Sequence, residues 1–317
     1  MKNFIDIKEL SKSELTSLLD NALQNKRSKI TTQNNLNGKN LVLFFEKKST
    51  RTRLSFDIAI KQLGGSTTIL NKEDIHLGND KESVSDTINT FGLYADGLIL
   101  RVNDHKTIMS ASKLSHLPVI NALSNLSHPC QCLAGLMTLL EERGSLEKLN
   151  IVWMGPITNV ANSWIEAFKK ELGFSLNIFC PETWFEKYRK KMKEYDISID
   201  LDGIVHHQIN DQILAQADAV MTDTWKSMGE DIKSQDYDLI KEFRVTEKIM
   251  QKTKSDSIFM HCLPANRNEE VEASVMDGSN SRVWQEASNR LFVQKEILNR
   301  SDEECQETWE AGIVDSD

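Results

Sequence analysis

Long apolar runs are missing from this 317-residue chain. No stretch approaches the twenty or so residues that a bilayer-spanning helix needs. The start, Met-Lys-Asn-Phe-Ile-Asp, has neither the apolar core of a signal peptide nor the Arg-rich pattern of a transit peptide. The expectation is a soluble, cytoplasmic protein. Metal-ligand and disulfide spacings are missing as well. The five cysteines, Cys130, Cys132, Cys180, Cys262 and Cys305, are odd in number and scattered, which suits a reducing compartment. Cys130 and Cys132 lie two apart on an expected helix and so point in different directions. His206-His207 has no carboxylate or cysteine at ligand spacing, so neither a metal nor a cofactor is expected. Positive charge is in deficit: 38 Lys and Arg against 47 Asp and Glu leave a net charge of −9. That argues against a nucleic-acid or acidic-membrane partner, and any anionic ligand must be held by a local island of basic residues.

What is present is a globular composition, 39% hydrophobic and 27% charged, in a chain long enough for two cores of ordinary size. Short apolar runs alternate with helix-period segments in two successive series, the pattern of α/β folds with parallel sheets. Ser11-x-x-Glu14 is a capping box that opens a first helix with the stripe Leu15, Leu18, Leu19, Leu23. Strands are predicted at 40–45, 66–70, 97–101 and 118–122, with helices near 83–94 and 105–115 and another just after Pro129. A helix carrying Leu54, Ile58 and Leu63 on one side stops at Gly64-Gly65. A polar break at 143–149 precedes strands at 150–154, 175–179, 219–222 and 257–261 and helices near 160–172, 182–194, 209–216 and 236–251. The last helix runs from about 287 to 299.

The unusual residues fall at strand carboxyl ends, the edge where open parallel sheets bind ligands. Ser49-Thr50-Arg51-Thr52-Arg53 follows the first strand and leads into a helix, whose unpaired N–H groups and positive dipole end suit an anion. Arg101 ends another strand, and His128-Pro129-Cys130-Gln131 follows the next. In the second series Asn159, Asp223–Gly229 and His261-Cys262-Leu263-Pro264 take the equivalent places. Each residue alone has a plain structural explanation: a capped helix start, a loop histidine, a small buried thiol. Their joint occurrence on six such loops points to a two-substrate site between two opposed sheet edges.

Together Ser-Thr-Arg-Thr-Arg at 49–53, His-Pro-Cys-Gln at 128–131, Asp-Thr-Trp-Lys-Ser-Met-Gly at 223–229 and Phe-Met-His-Cys-Leu-Pro at 259–264 resemble the ornithine carbamoyltransferases, a likeness that runs to Glu286-Ala287-Ser288-Asn289-Arg290. The first two motifs are shared with the aspartate enzymes. The Ser-Met-Gly and His-Cys-Leu-Pro pair selects ornithine. Four positions depart from the usual pattern: Lys48 for proline, Pro156-Ile157-Thr158 for Asp-Gly-Asn, Gly135 for aspartate and Asn266 for histidine.

The resemblance implies two α/β domains with the active site in the cleft between them. Residues 1–142 would bind carbamoyl phosphate, with a C-terminal helix from about 287 to 317 packing back on them, and 150–286 would bind L-ornithine. It implies citrulline and phosphate as products, within arginine biosynthesis, and homotrimers whose sites are shared between subunits. Carbamoyl phosphate would be held by Ser49, Thr50, Arg51, Thr52, Gln131, Leu263 and, from a neighbouring subunit, His76. Arg101 and His128 would donate to its carbonyl oxygen, and Arg290 would arrive from the second domain on closure. Asn159, Ser227 and Met228 would fix the amino-acid head of ornithine. Asp223 would either bind the α-ammonium or relay the side-chain amine proton, with the Cys262 thiol beside the attacking nitrogen.

Overall fold

Two parallel sheets organise the protein in the computed structural model, which describes residues 3–28, 33–75, 82–198, 200–225 and 234–312. The first has the order β2-β1-β3-β4, from β1 (Asn40–Phe45), β2 (Ser66–Asn71), β3 (Gly97–Arg101) and β4 (Val119–Leu123). The second has the order β7-β6-β5-β8-β9, from β5 (Asn150–Met154), β6 (Ser175–Phe179), β7 (Val205–His206), β8 (Ala219–Thr222) and β9 (Ile258–His261). Every pairing is parallel, as expected for an α/β fold. The residues up to Met137 and from Ser288 onward make one unit, and Thr138–Ala287 the other. The chain leaves the first unit within the helix Pro129–Arg143 and returns within the helix Val283–Gly312.

Apart from the edge strands β2 and β7, the strands are largely buried, which is why they read as apolar runs. In the first unit Val42, Phe44, Leu98 and Leu100 pack with Ile88, Phe91 and Ile108. In the second Val152, Met154, Val220 and Phe259 pack with Ile240 and Val275. Trp153 and Trp164 are also core residues. The capping box forms: Ser11 Oγ accepts from Glu14 N at 3.1 Å, and a Glu14 carboxylate oxygen accepts from Ser11 N at 2.7 Å. The helix it opens, Lys12–Ser28, holds the C-terminal helix through Asn25 to Glu296 at 2.5 Å and Lys26 to Asn289 at 2.6 Å.

Several elements differ from expectation. The helix Arg51–Gln62 buries Phe56, Ala59 and Ile60 and leaves Leu54 and Ile58 on its outer side, 53% and 41% exposed. The single helix expected over 236–251 is two, Ser234–Lys241 and Glu247–Met250. Between them the backbone of Val245 donates to Glu270 O and accepts from Glu272 N, and Thr246 then caps the new helix through Ile249 N. Burial of Val245 in the core makes that diversion worthwhile. The helix predicted over 160–172 ends at Phe168, while the last helix begins four residues early, at Val283. The two-residue strand β7 and the helix Ala273–Met276 carry too little periodicity to be seen in sequence.

In each sheet the strand order reverses once, between β1 and β3 and between β5 and β8. At such a point the flanking loops diverge to opposite faces and leave a crevice at the carboxyl ends. Ser49 to Thr52 follow β1, Arg101 ends β3, Asn159 follows β5 and Asp223 follows β8, all beside these two points.

Candidate active site

In the first unit Phe45 pairs with Arg101 and Arg101 with Leu123, so the last residues of β1, β3 and β4 form one row. The helix after β1 begins at Arg51, with Thr50 as its N-cap residue. Thr50 has helical backbone angles and no side-chain capping bond, so the helix start leaves its hydroxyl for another acceptor or donor. Thr52, the second residue of the helix, is buried, and its Oγ1 accepts from Arg101 Nη1 at 3.1 Å and from Arg290 Nη2 at 2.6 Å. Two guanidiniums meeting on one hydroxyl concentrate positive charge where solvent screens little. His128 and Gln131 are buried at the end of β4. Burial first, then the charges of Arg290 and Arg101, hold His128 well below the usual imidazole range. The ring is therefore neutral at pH 7 and able to donate one N–H while remaining uncharged.

Arg290 corrects one expectation. It belongs to the same unit as Thr52, because the unit takes up the chain again at Ser288, and it reaches the anion loop without any movement of the second unit. Arg53, which sequence places among the anion donors, is turned away: its Nη2 donates to Asn71 Oδ1 at 2.6 Å and its guanidinium lies 5.3 Å from the Phe45 ring centre. A residue not singled out in sequence braces the loops instead. Glu46 accepts from Asn103 N at 2.5 Å and pairs with Lys72 at 3.4 Å, linking the carboxyl ends of β1, β3 and β2.

In the second unit Thr222 pairs with His261, and Thr222 Oγ1 donates to Met154 O at 2.6 Å, aligning the ends of β5, β8 and β9. Asp223 is buried, and three donors reach its Oδ1: Thr224 N at 2.7 Å, Thr224 Oγ1 at 3.3 Å and Cys262 Sγ at 2.6 Å. That geometry leaves Oδ2 as the acceptor for a substrate ammonium or amine. Cys262 is half-buried. Leu263 has φ of 53°, a left-handed conformation that costs a non-glycine residue about 1–3 kcal/mol and collects at functional sites. Its N–H donates to His261 Nδ1 at 2.9 Å, so the ring's proton sits on Nε2, which faces Glu270 Oε1 at 3.3 Å. Glu270 also accepts from Asn266 N at 2.5 Å. His261 and Glu270 thus brace the Cys262-Leu263 turn. Only a buried histidine ending an apolar strand hinted at this in sequence.

Asn159 is the first residue of the helix Asn159–Phe168, half-buried, behind the N-cap Thr158. The departure Pro156-Ile157-Thr158 has structural duties: Pro156 O accepts from Trp153 Nε1 at 2.9 Å, and Thr158 caps the helix through Ala161 N. Gly155 before it has φ of 113°, and a Cβ there would lie 3.1 Å from Trp225 Nε1. His76, Ser227 and Met228 lie outside the described residues. Among the described residues no His, Cys, Asp and Glu cluster could hold a metal, and no helix is long and apolar enough to cross a membrane.

A profile described as the carbamoyl-P binding domain of aspartate/ornithine carbamoyltransferase matches residues 2–141, and one described as the Asp/Orn binding domain matches residues 147–300. The chain belongs to the aspartate/ornithine carbamoyltransferase family. Among relatives within it, an ornithine carbamoyltransferase of Bradyrhizobium diazoefficiens is 39% identical over 94% of this chain and 96% of its own. The solved ornithine carbamoyltransferase of Pyrococcus furiosus is 35% identical with a TM-score of 0.83, covering 94% of this chain and 96% of its own. A solved N-acetyl-L-ornithine transcarbamylase is 29% identical with a TM-score of 0.76, covering 95% and 99%. In family terms, the first unit falls within the carbamoyl-P binding match and the end of the Asp/Orn match, where Arg290 lies.

Proposed function

We propose that the protein transfers the carbamoyl group of carbamoyl phosphate to the side-chain amine of L-ornithine, giving L-citrulline and phosphate, a step of arginine metabolism. The observation that supports this most is the meeting of Arg101 and Arg290 on Thr52 beside neutral His128, next to a helix start. Ser49, Thr50, Arg51 and Thr52 bind the phosphoryl group by charge-assisted bonds worth about 1.5–3 kcal/mol each. Arg101 and His128 donate to the carbonyl oxygen as negative charge gathers on it, Arg290 contacts the carbonyl or the phosphate, and the Gln131 amide oxygen accepts from the carbamoyl NH₂.

An amine like that of lysine has a pKa of about 10.4, so presenting it neutral near pH 7.4 costs about 4 kcal/mol. Asp223 Oδ2 either holds the α-ammonium or relays the side-chain amine proton, the second of which meets this demand, and Cys262 stays hydrogen-bonded to Oδ1 rather than attacking. Leu263 O orients the nitrogen, and Asn159, Ser227 and Met228 hold the amino-acid head. The leaving phosphate, more basic as its bond breaks, accepts the final proton. Leu93 and Tyr94, 76% and 77% exposed, together with Leu54 and Ile58, offer the first unit an apolar surface for a second copy, in keeping with a homotrimer in which His76 serves a neighbour's site. The described cysteines are free thiols, in keeping with the cytoplasm.

Citrulline formation from both substrates, with the mass of the native particle, tests the proposal. The likeness to an N-acetyl-L-ornithine transcarbamylase supports one rival acceptor, acylated ornithine. Turnover no faster with ornithine than with its acetylated form would favour that rival.

A further inference from the structure

A charged cluster lies in the core of the first unit and takes no part in the chemistry above. The chain's first described residues run beside β4: Phe4 N donates to Val119 O at 2.9 Å, and Asn121 N to Phe4 O at 2.8 Å. This carries the Asp6 carboxylate, fully buried, beneath the loop that joins β4 to His128. Asp6 Oδ1 accepts from the Ser127 hydroxyl, which itself accepts from Asn121 Nδ2 at 2.9 Å. Asp6 Oδ2 lies 3.1 Å from Lys8 Nζ and 3.4 Å from His105 Nε2. The other nitrogen of His105 is 2.8 Å from Ser124 Oγ.

Ser124 Oγ accepts from Leu126 N at 3.2 Å and from Ser127 N at 3.1 Å, and the far nitrogen of the His105 ring, Nε2, faces Asp6. The order Asp6, His105, Ser124 resembles a nucleophilic triad. All three are buried at 2% exposure or less, however, and no substrate reaches Ser124. What the cluster does is hold a loop. Ser124 N also donates to Ser127 O at 2.9 Å, so the turn from 124 to 127 is fastened by backbone, by the Ser124 hydroxyl and by the Ser127 bond to Asp6. The next residue is His128.

A fully buried carboxylate is expensive to keep, and replacing such a group by an apolar one of the same shape is often neutral for stability. Its place under the one loop whose next side chain must meet a carbonyl oxygen gives it a second use. We propose that Asp6, acting through Ser127 and through His105 and Ser124, is a positioning residue that sets His128 for the carbamoyl-transfer step. The inference rests on the carbamoyl-transfer reading for its kinetic consequence only, because the position of the His128 ring can be read without turnover.

The test uses the full chain with Asp6→Ala, Ser127→Ala and the conservative Asp6→Asn, which keeps an acceptor for the Ser127 hydroxyl. Ile108→Val, in the core of the same unit, serves as a control for general destabilisation. Imidazole resonances of His128, assigned with His128→Gln, should move in both alanine variants and stay near wild type in Asp6→Asn and Ile108→Val. In parallel kcat should fall roughly 10- to 100-fold in the alanine variants, with KM for the amine within about threefold, as a misplaced group predicts. Unmoved His128 resonances in the alanine variants, or an equal movement in Ile108→Val, overturn the inference. A wild-type protein that carbamoylates no amine overturns the functional reading instead, and the resonances still decide the positioning. If Asp6→Ala does not fold, Ser127→Ala carries the same readout.

Discussion

Arg290 donates to Thr52 at 2.6 Å across 238 positions of sequence, and this bond ties the start of the helix Arg51–Gln62 to the C-terminal helix. Arg101 reaches the same oxygen at 3.1 Å, so one hydroxyl sets the spacing of two cations.

Replacing Arg290 by alanine removes the proposed donor to the developing charge and also one of the two bonds on Thr52, leaving the Arg101 bond in place. The expected result is a fall in kcat of about 10²–10³-fold. Thr52→Val keeps the shape but takes an acceptor from the buried Arg290 guanidinium and from the half-buried Arg101, a penalty of about 1–3 kcal/mol that lowers the melting temperature as well as the rate. Steady-state kinetics together with thermal melts separate the two outcomes.

Arg51→Ala and Cys262→Ala divide the two substrates. The first should raise the carbamoyl phosphate KM with a smaller change in kcat. The second should reduce ornithine use and kcat, because Asp223 Oδ1 loses the Cys262 donor. Wild-type constants in both variants would refute the assignment of the site.

The pH profile follows from His128 and the amine. Burial and two neighbouring arginines depress the His128 pKa well below 6.5, so the folded protein refuses a proton that the unfolded chain accepts. The stability linked to this residue is therefore full above pH 6.5 and declines as the pH falls below it. Activity should show no His128 titration between pH 6.5 and 8 and should rise above pH 7 as the amine loses its proton. Urea melts at several pH values with His128→Gln as reference, and a rate profile, check both.

Thiol chemistry should separate the cysteines sharply. Burial raises Cys130 and Cys180 to about 12, and Cys132 is also fully buried, whereas Cys262 is half-exposed. In a Cys305→Ser background at pH 8, a disulfide reagent should label Cys262 first, and the other three only on unfolding. Saturating carbamoyl phosphate analogue and ornithine should slow that labelling.

The architecture was largely legible in sequence because strands buried on both faces are short apolar runs, and capping and turn residues punctuate them. Ser11 and Glu14, or Gly64 with its φ of 85°, act as their types predict. Helix faces are less legible: Leu54, Ile58 and Leu63 read as one apolar side, yet Leu54 and Ile58 lie outside and Leu63 is buried, because hydropathy does not say which apolar stripe meets the sheet. The split at Val245 escaped notice since it depends on pairing with a segment far along the chain. Arg101, Asp223 and Cys262 stand out in sequence because polar residues there end apolar strands. Glu46 and Glu270, and the bracing contacts of His261, do not, because their partners are backbone groups and buried rings that no local pattern reveals. Arg53 was misjudged for the converse reason, since Asn71 claims it only after β2 is laid down.

The return of the chain at Ser288 has a bearing on synthesis. The sheet of the first unit is laid down from residues 40–123, but the bond from Arg290 to Thr52 can close only after residue 290 has left the ribosome. A fragment stopping at Met137 would keep Thr52 and Arg101 but lack the second guanidinium on that hydroxyl, so the first unit is completed only after the whole of the second has been made.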